Sequence, residues 1–141
     1  MEIKEFSACN LESLRELYLH SRRDSFTWLK TDSFRLDDFE RDSQGERIWL
    51  AEVLGDVVGF ISIWESDNFV HHLYVATEYQ SRGVGSKLLE SAKEKYGNLN
   101  LKCMVQNRKA LDFYLSQGFE IVLQVNDEFG GYYCMSFGAQ T

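Results

Sequence analysis

The fold turns on the stretch Phe69-Val70-His71-His72-Leu73-Tyr74-Val75, followed after four residues by Gln80-Ser81-Arg82-Gly83-Val84-Gly85-Ser86-Lys87-Leu88-Leu89. The first run is rich in β-branched and aromatic residues and reads as a strand. Val84, Leu88, Leu89 and Ala92 fall at helical spacing and predict an amphipathic helix ending near Gly97. Between them, Gln80 to Gly85 is a glycine loop. Such a loop is either a plain turn or the seat of an anion, because the first N–H groups of a helix lack internal partners and glycine permits close approach. Arg82 and Lys87 add positive charge beside it. Two phosphate-loop readings fail on residue order. A Walker loop needs Gly-Lys-Ser/Thr where this chain has Gly85-Ser86-Lys87, and a dinucleotide fingerprint needs a third glycine where Leu88 stands.

Working outward, Ile3 and Phe6 suggest a first strand, and Asn10 caps a helix carrying Leu11, Leu14, Leu17 and Tyr18. His20 to Thr31 is a polar and aromatic stretch, and Phe34, Leu36 and Phe39 predict a short second helix. Residues 48–53 and 57–63 read as strands joined by a hairpin at Gly55-Asp56. Beyond the glycine-loop helix come a strand over 99–105, a helix over 107–117 closed by Gly118, and strands over 119–125 and 132–137. The order predicts an α/β (α+β) domain spanning 1–141, with a mixed, mostly antiparallel sheet of six to seven strands flanked by about four helices.

The chain has 141 residues, 44% hydrophobic and 26% charged, a globular composition that excludes a disordered chain. No stretch approaches the ~20 apolar residues of a membrane span, and the start lacks the basic and apolar regions of a signal peptide. Cys9, Cys103 and Cys134 cannot all pair and form no C-x-x-C, which argues against a disulfide scaffold or zinc finger; no metal is expected, and a reducing, cytoplasmic compartment fits. Residues 1–70 hold 15 acids and 8 bases, net −7, whereas 71–141 are neutral. Within 82–109 seven bases face only Glu90 and Glu94. This is a local anion seat, or a set of solvated helix faces, in an acidic protein; nucleic acid and anionic membranes are unsuitable partners.

Two blocks carry a family resemblance. Leu73-Tyr74-Val75 followed by Gln80-Ser81-Arg82-Gly83-Val84-Gly85 resembles the Q/R-x-x-G-x-G/A motif of the GCN5-related N-acetyltransferases, the GNAT superfamily. Asn107-Arg108-Lys109-Ala110-Leu111-Asp112-Phe113-Tyr114, then Gly118-Phe119, is similar to the superfamily's N-x-x-A-x-x-F-Y-x-x-x-G-F block. The element order agrees over nearly the whole chain, the N-terminal third in layout only. The resemblance implies an acetyl-CoA enzyme with a primary amine of a small molecule or peptide as acceptor, and homodimers are common in the family. N–H groups from Arg82 to Ser86 would then bind the pyrophosphate, and Gln80 and Ser81 would complete this cofactor-binding loop. The backbone of Leu73 and Val75, flanking Tyr74, would pair with the pantetheine arm as an added strand. Asn107 would bond the arm, Ala110 and Phe113 would pack near it, and Tyr114 would sit beside the thioester sulfur. Without the motif, Asn107 reads as a helix cap, and Phe113 and Tyr114 as core aromatics.

An ammonium acceptor with a lysine-like pKa is free amine in only about one part in 2,500 at pH 7, so its charge adds about 4–5 kcal/mol to the barrier. Many family members place Glu or His four residues before the Leu73-Tyr74-Val75 triplet; this chain has Phe69 there. Strand alternation places His71 on the face of Phe69 and turns His72 the other way. His71 is the candidate base, or else a hydrogen-bonded structural histidine, and a water chain to Glu65 or Asp67 is the other route. Thr77 stands where the family often has proline. Asp24, Phe26, Trp28, Tyr132 and Tyr133 are candidate acceptor-lining residues; Phe26 and Trp28 serve equally as core or lid. An acyl-CoA-binding sensor and an O-acyl or longer-chain acyltransferase are the competing functions.

Overall fold

The computed structural model describes residues 1–25, 34–128 and 130–138. Seven strands, β1 (Glu2–Glu5), β2 (Arg47–Val53), β3 (Asp56–Trp64), β4 (Phe69–Val75), β5 (Leu99–Met104), β6 (Glu120–Val125) and β7 (Tyr132–Phe137), form one sheet in the order β1-β2-β3-β4-β5-β7-β6. Every neighbouring pair is antiparallel except β4–β5. Helices α1 (Leu11–Ser25), α2 (Asp38–Ser43), α3 (Val84–Tyr96) and α4 (Arg108–Ser116) complete the fold. The mixed sheet and four helices agree with the class read from the residues.

The sheet is covered on both faces. Leu14, Leu17 and Tyr18 of α1 and Phe39 of α2 close over Ile48, Leu50 and Phe60. Val84, Leu88, Leu89 and Ala92 of α3 and Leu111 of α4 pack with Trp49, Ile61, Ile63, Leu99 and Met135. Apolar residues recurring at 3.6-residue spacing on the helices and filling both faces of the central strands produce this layering.

Three local expectations shift. The β2–β3 turn is Leu54-Gly55, one residue earlier than Gly55-Asp56, with Val53 opposite Asp56 and both turn residues at positive φ. A two-residue hairpin requires that backbone sign to match strand twist, so the register displaces Leu54 into full exposure. Helix α1 continues through residues 20–25, the start of the polar and aromatic stretch to which the sequence assigned no element. Arg22 is the reason: it stacks 3.9 Å from the Tyr18 ring centroid and 4.3 Å from that of Phe34, and it pairs with Asp38 at 3.1 Å. Helix α2 starts at Asp38, so Phe34 and Leu36 precede it; Asp38 accepts the Arg35 N–H at 2.9 Å.

Candidate active site

β4 and β5 pair only at Phe69–Asn100 and Val70–Leu101. His71 follows as the extra residue of a β-bulge, with Ser62 opposite His72 and Ile63 opposite Val70. A bulge bends its strand, and here β4 parts from β5. Between the parted strands and helices α3 and α4 lies a groove of about 980 Å³.

One wall is the backbone of β4. Ala76 donates to Val58 O at 2.8 Å. Successive peptide groups alternate sides along a strand, so the N–H and C=O of Val75 and Leu73 face the groove instead of β3. Gln80 Nε2 already bonds Val75 O at 3.3 Å, and Lys109 Nζ bonds Gln80 Oε1 at 2.8 Å. Gln80 thereby ties the end of β4 to the first turn of α4.

One end of the groove is the start of α3. Gly83 caps this helix at φ 85, a backbone that glycine adopts without strain, and the space where a Cβ would stand is open. Ser81 also has positive φ, and Ser81, Gly83, Val84, Gly85 and Ser86 line the groove. A Cβ on Gly85 would lie 3.1 Å from Phe113 Cζ, so the glycine lets α4 close against α3; Gln117 bonds Ser86 Oγ at 3.1 Å across the same seam. Arg82 is exposed over the Tyr79 ring and contributes loop backbone, not groove lining.

α4 forms the other wall. Asn107 Oδ1 accepts the Ala110 N–H at 3.2 Å, so the cap reading holds, while its Nδ2 and the second lone pair of Oδ1 are left to meet a ligand. Ala110, Phe113 and Tyr114 all line the groove. Phe113 and Phe119 hold the Tyr114 ring edge-on at 5.4 and 5.6 Å between centroids. Burial pushes the Tyr114 hydroxyl above its ordinary pKa, keeping it protonated. It also pushes the Cys103 thiol up to about 11, which favours the neutral thiol. Tyr74 is raised to about 12 by burial.

At the far end His71 and His72 both line the groove, with ring centroids 3.9 Å apart. The alternation expected of these two residues fails because the bulge inserts a residue between the faces. Both rings meet Glu46, from the turn before β2: His71 Nδ1 bonds Oε2, and His72 Nδ1 lies 3.5 Å from Oε1. Ser62 Oγ is 2.8 Å from His72 Nδ1, while His72 Nε2 lies 3.3 Å from a Tyr18 hydroxyl that donates to Asp42 at 2.7 Å. Burial lowers the His72 pKa and favours the neutral ring. Burial raises the Glu46 pKa, but the His72, Ser62 and His71 side chains gathered around the carboxylate outweigh it and keep the pKa below the ordinary carboxylate value. Sequence reading missed Glu46, Ser62 and Tyr18; no local pattern marks them.

The other candidates fall elsewhere. Glu65 is bonded by Arg47 at 3.3 Å and Tyr96 at 2.7 Å; neither it nor Asp67 lines the groove. Tyr132 and Tyr133 on β7 do not line it either; Tyr133 packs against the main core and Tyr132 lies beneath Lys102. Phe26, Trp28 and the Asp24 side chain lie outside the described residues.

The groove thus joins a helix N-terminus to a free strand edge, a buried tyrosine and a histidine pair, and the sequence pattern of the acetyltransferase (GNAT) family matches residues 11–119. The chain belongs to the acetyltransferase (GNAT) family. As a member it is an acyltransferase, and acetyl-CoA is its acetyl donor. It is similar to the peptidyl-lysine N-acetyltransferase YiaC of Escherichia coli (strain K12), 29% identical over 126 residues that cover 85% of this chain and 84% of that protein. Its fold matches the PaiA N-acetyltransferase of Thermoplasma acidophilum in complex with coenzyme A, with TM-score 0.80 at 18% identity and 98% of each chain covered. It also matches a ribosomal-protein-alanine N-acetyltransferase from Brucella melitensis, with TM-score 0.71 at 21% identity, covering 99% of this chain and 100% of that one. No helix among the described residues is long and apolar enough to cross a membrane.

The groove fits acetyl-CoA on its own features. The open space at Gly83 admits a phosphate to the first-turn N–H groups of α3, and the edge of β4 beyond its pairs with β5, where Gln80 already bonds Val75 O, offers the Leu73 peptide groups and the Val75 N–H to an extended amide chain.

Proposed function

We propose that this chain acts as one domain and transfers acetyl directly to a primary amine of a small molecule or peptide. The observation that carries the reading is the continuous groove running from the α3 N-terminus past Tyr114 to the Glu46–His71 pair. Acetyl-CoA supplies the acetyl group activated as a thioester. The N–H groups of residues 82–86 hold the pyrophosphate, and Leu73 and Val75 pair with the pantetheine arm. Val75 N–H, facing the groove, stabilises negative charge on the carbonyl oxygen. His71, oriented by Glu46, takes the ammonium proton; Tyr114 gives its proton to the departing thiolate. The neutral Cys103 thiol favours direct transfer over an acetyl-enzyme.

The lysine acceptor named for YiaC and the net −7 of residues 1–70 both favour a cationic acceptor. The reducing chemistry implied by three free cysteines favours the cytoplasm. A homodimer would cover Ile121, Val122 and Leu123, exposed apolar residues of the edge strand β6. The deciding experiment measures thiol release from acetyl-CoA with lysine peptides and small amines, beside calorimetry of CoA binding. Amine-dependent turnover supports the reading. CoA binding without turnover across the panel overturns it in favour of a sensor.

A further inference from the structure

The pocket formed by Glu46, His71 and His72 has more acceptors than protons. Tyr18 gives its hydroxyl hydrogen to Asp42, so the Tyr18 oxygen presents a lone pair to His72 Nε2 at 3.3 Å. A ring that holds one proton places it on Nε2, facing that lone pair, and leaves its own lone pair on Nδ1. That nitrogen faces Ser62 Oγ at 2.8 Å and Glu46 Oε1 at 3.5 Å. Ser62 has one proton to give. Spent on Nδ1, it leaves Oε1, a fully buried carboxylate oxygen, without a hydrogen-bond partner. An ionised carboxylate oxygen and an imidazole lone pair then face each other with nothing positive between them, an arrangement that burial makes costly.

A cation removes this conflict. One donor atom from each of Glu46, His71 and His72 can be chosen so that all three lie within 4.8 Å of one another. Two imidazoles and a carboxylate are a donor set used for zinc, completed by an open fourth position. Here the open side is the groove, which both histidines line. The outer partners are also in place, since His72 gives Nε2–H to Tyr18, which is anchored on Asp42. Ser62 is free to turn its proton to Glu46 once the metal takes Nδ1.

We propose that Glu46, His71 and His72 bind a divalent cation of the zinc class, and that its binding blocks acetyl transfer. Binding rests on the pocket alone. The block rests on the reading of His71 as base, because the metal takes the lone pair that would accept the ammonium proton.

The test is titration of chelator-treated protein with zinc chloride against a chromophoric competitor. CoA is omitted, because its thiol also binds zinc. Cobalt(II) chloride provides a parallel readout through its visible absorption on entering a tetrahedral nitrogen and oxygen site. One equivalent should bind. Glu46→Gln and His71→Ala should each weaken binding roughly a hundredfold, and Tyr18→Phe, which removes only an outer partner, roughly tenfold. His20→Ala and Cys9→Ser should bind as the parent does. Thermal melts identify variants that fail to fold, and Tyr18→Phe keeps the ring and its packing. Absence of stoichiometric binding, or binding indifferent to Glu46→Gln and His71→Ala in folded protein, overturns the site. Stoichiometric binding with undiminished turnover overturns the block and leaves the site standing. Turnover lost in His71→Ala but insensitive to zinc in the parent separates failure of this inference from failure of the acetyltransferase reading.

Discussion

Glu46 and His71, 25 residues apart, are hydrogen-bonded through Oε2 and Nδ1 where β4 leaves β5. The carboxylate is nearly buried while the imidazole is half exposed to the groove. A buried anion thus fixes a ring that can still meet an acceptor. Glu46→Gln keeps the shape but loses the charge. In the proposed reaction it should lower kcat/KM for the amine by roughly tenfold or more while KM for acetyl-CoA stays the same. An equal rise in both KM values would assign Glu46 to packing alone.

Tyr114 is fixed by aromatic neighbours and held protonated by its burial. Tyr114→Phe removes one oxygen and keeps the ring. As proton donor to the thiolate, its loss should cost kcat roughly 10²-fold with little change in acetyl-CoA KM. Steady-state kinetics at saturating acceptor read the split, and a loss confined to KM would make Tyr114 a binding residue.

Gly83 stands at φ 85 beside open space at the head of α3. Gly83→Val strains that backbone and fills the approach to the unpaired N–H groups. Acetyl-CoA affinity should fall by about tenfold or more, measured by calorimetry on protein whose circular dichroism matches the parent. Parent-like affinity would place the pyrophosphate elsewhere.

The Arg22–Asp38 pair is buried on both sides. Removing one partner of such a pair costs about 3–5 kcal/mol, so Arg22→Met should lower stability in urea by that amount. Asp38 and Asp42 titrate below the ordinary carboxylate value. Burial alone would raise both, but the Arg35 N–H and the Arg22 side chain outweigh it at Asp38, and Arg41 and Tyr18 do so at Asp42. Their stabilisation is complete above the unfolded pKa near 3.8 and is lost as pH falls below it through the depressed folded values. Acid titration followed by circular dichroism should show the Arg22→Met transition at higher pH than the parent. Coincident transitions would remove the pair from the account.

Residues 1–70 are acidic, and positive charge gathers over 82–109. An anionic donor and a cationic acceptor are drawn to different sides by such a field. An amine should therefore be acetylated with higher kcat/KM than its matched amino acid, and added salt should erode the preference. A salt-insensitive preference for the carboxylate-bearing acceptor would contradict this.

Local pattern determined the order of strands and helices, the strand at 69–75, the helix after the glycine loop and the aromatic stripe of α4. Hydrophobic period and glycine placement act over a few residues, so they are legible in one dimension. The two motif blocks carried the donor side for the same reason: unpaired N–H groups and a strand edge are properties of a contiguous loop, strand and helix. The far end of the groove, with Glu46, His71 and His72, was decided by tertiary structure. Strand alternation put His71 and His72 on opposite faces, and a bulge defined by pairing with β3 set them side by side. Arg22 extended α1 because its charge found Asp38 across 16 residues. Glu46 reached His71 only because the sheet brings the turn before β2 over the start of the β4–β5 gap. Such contacts depend on register and on which buried charges find partners, and neither is encoded in the spacing of neighbouring residues.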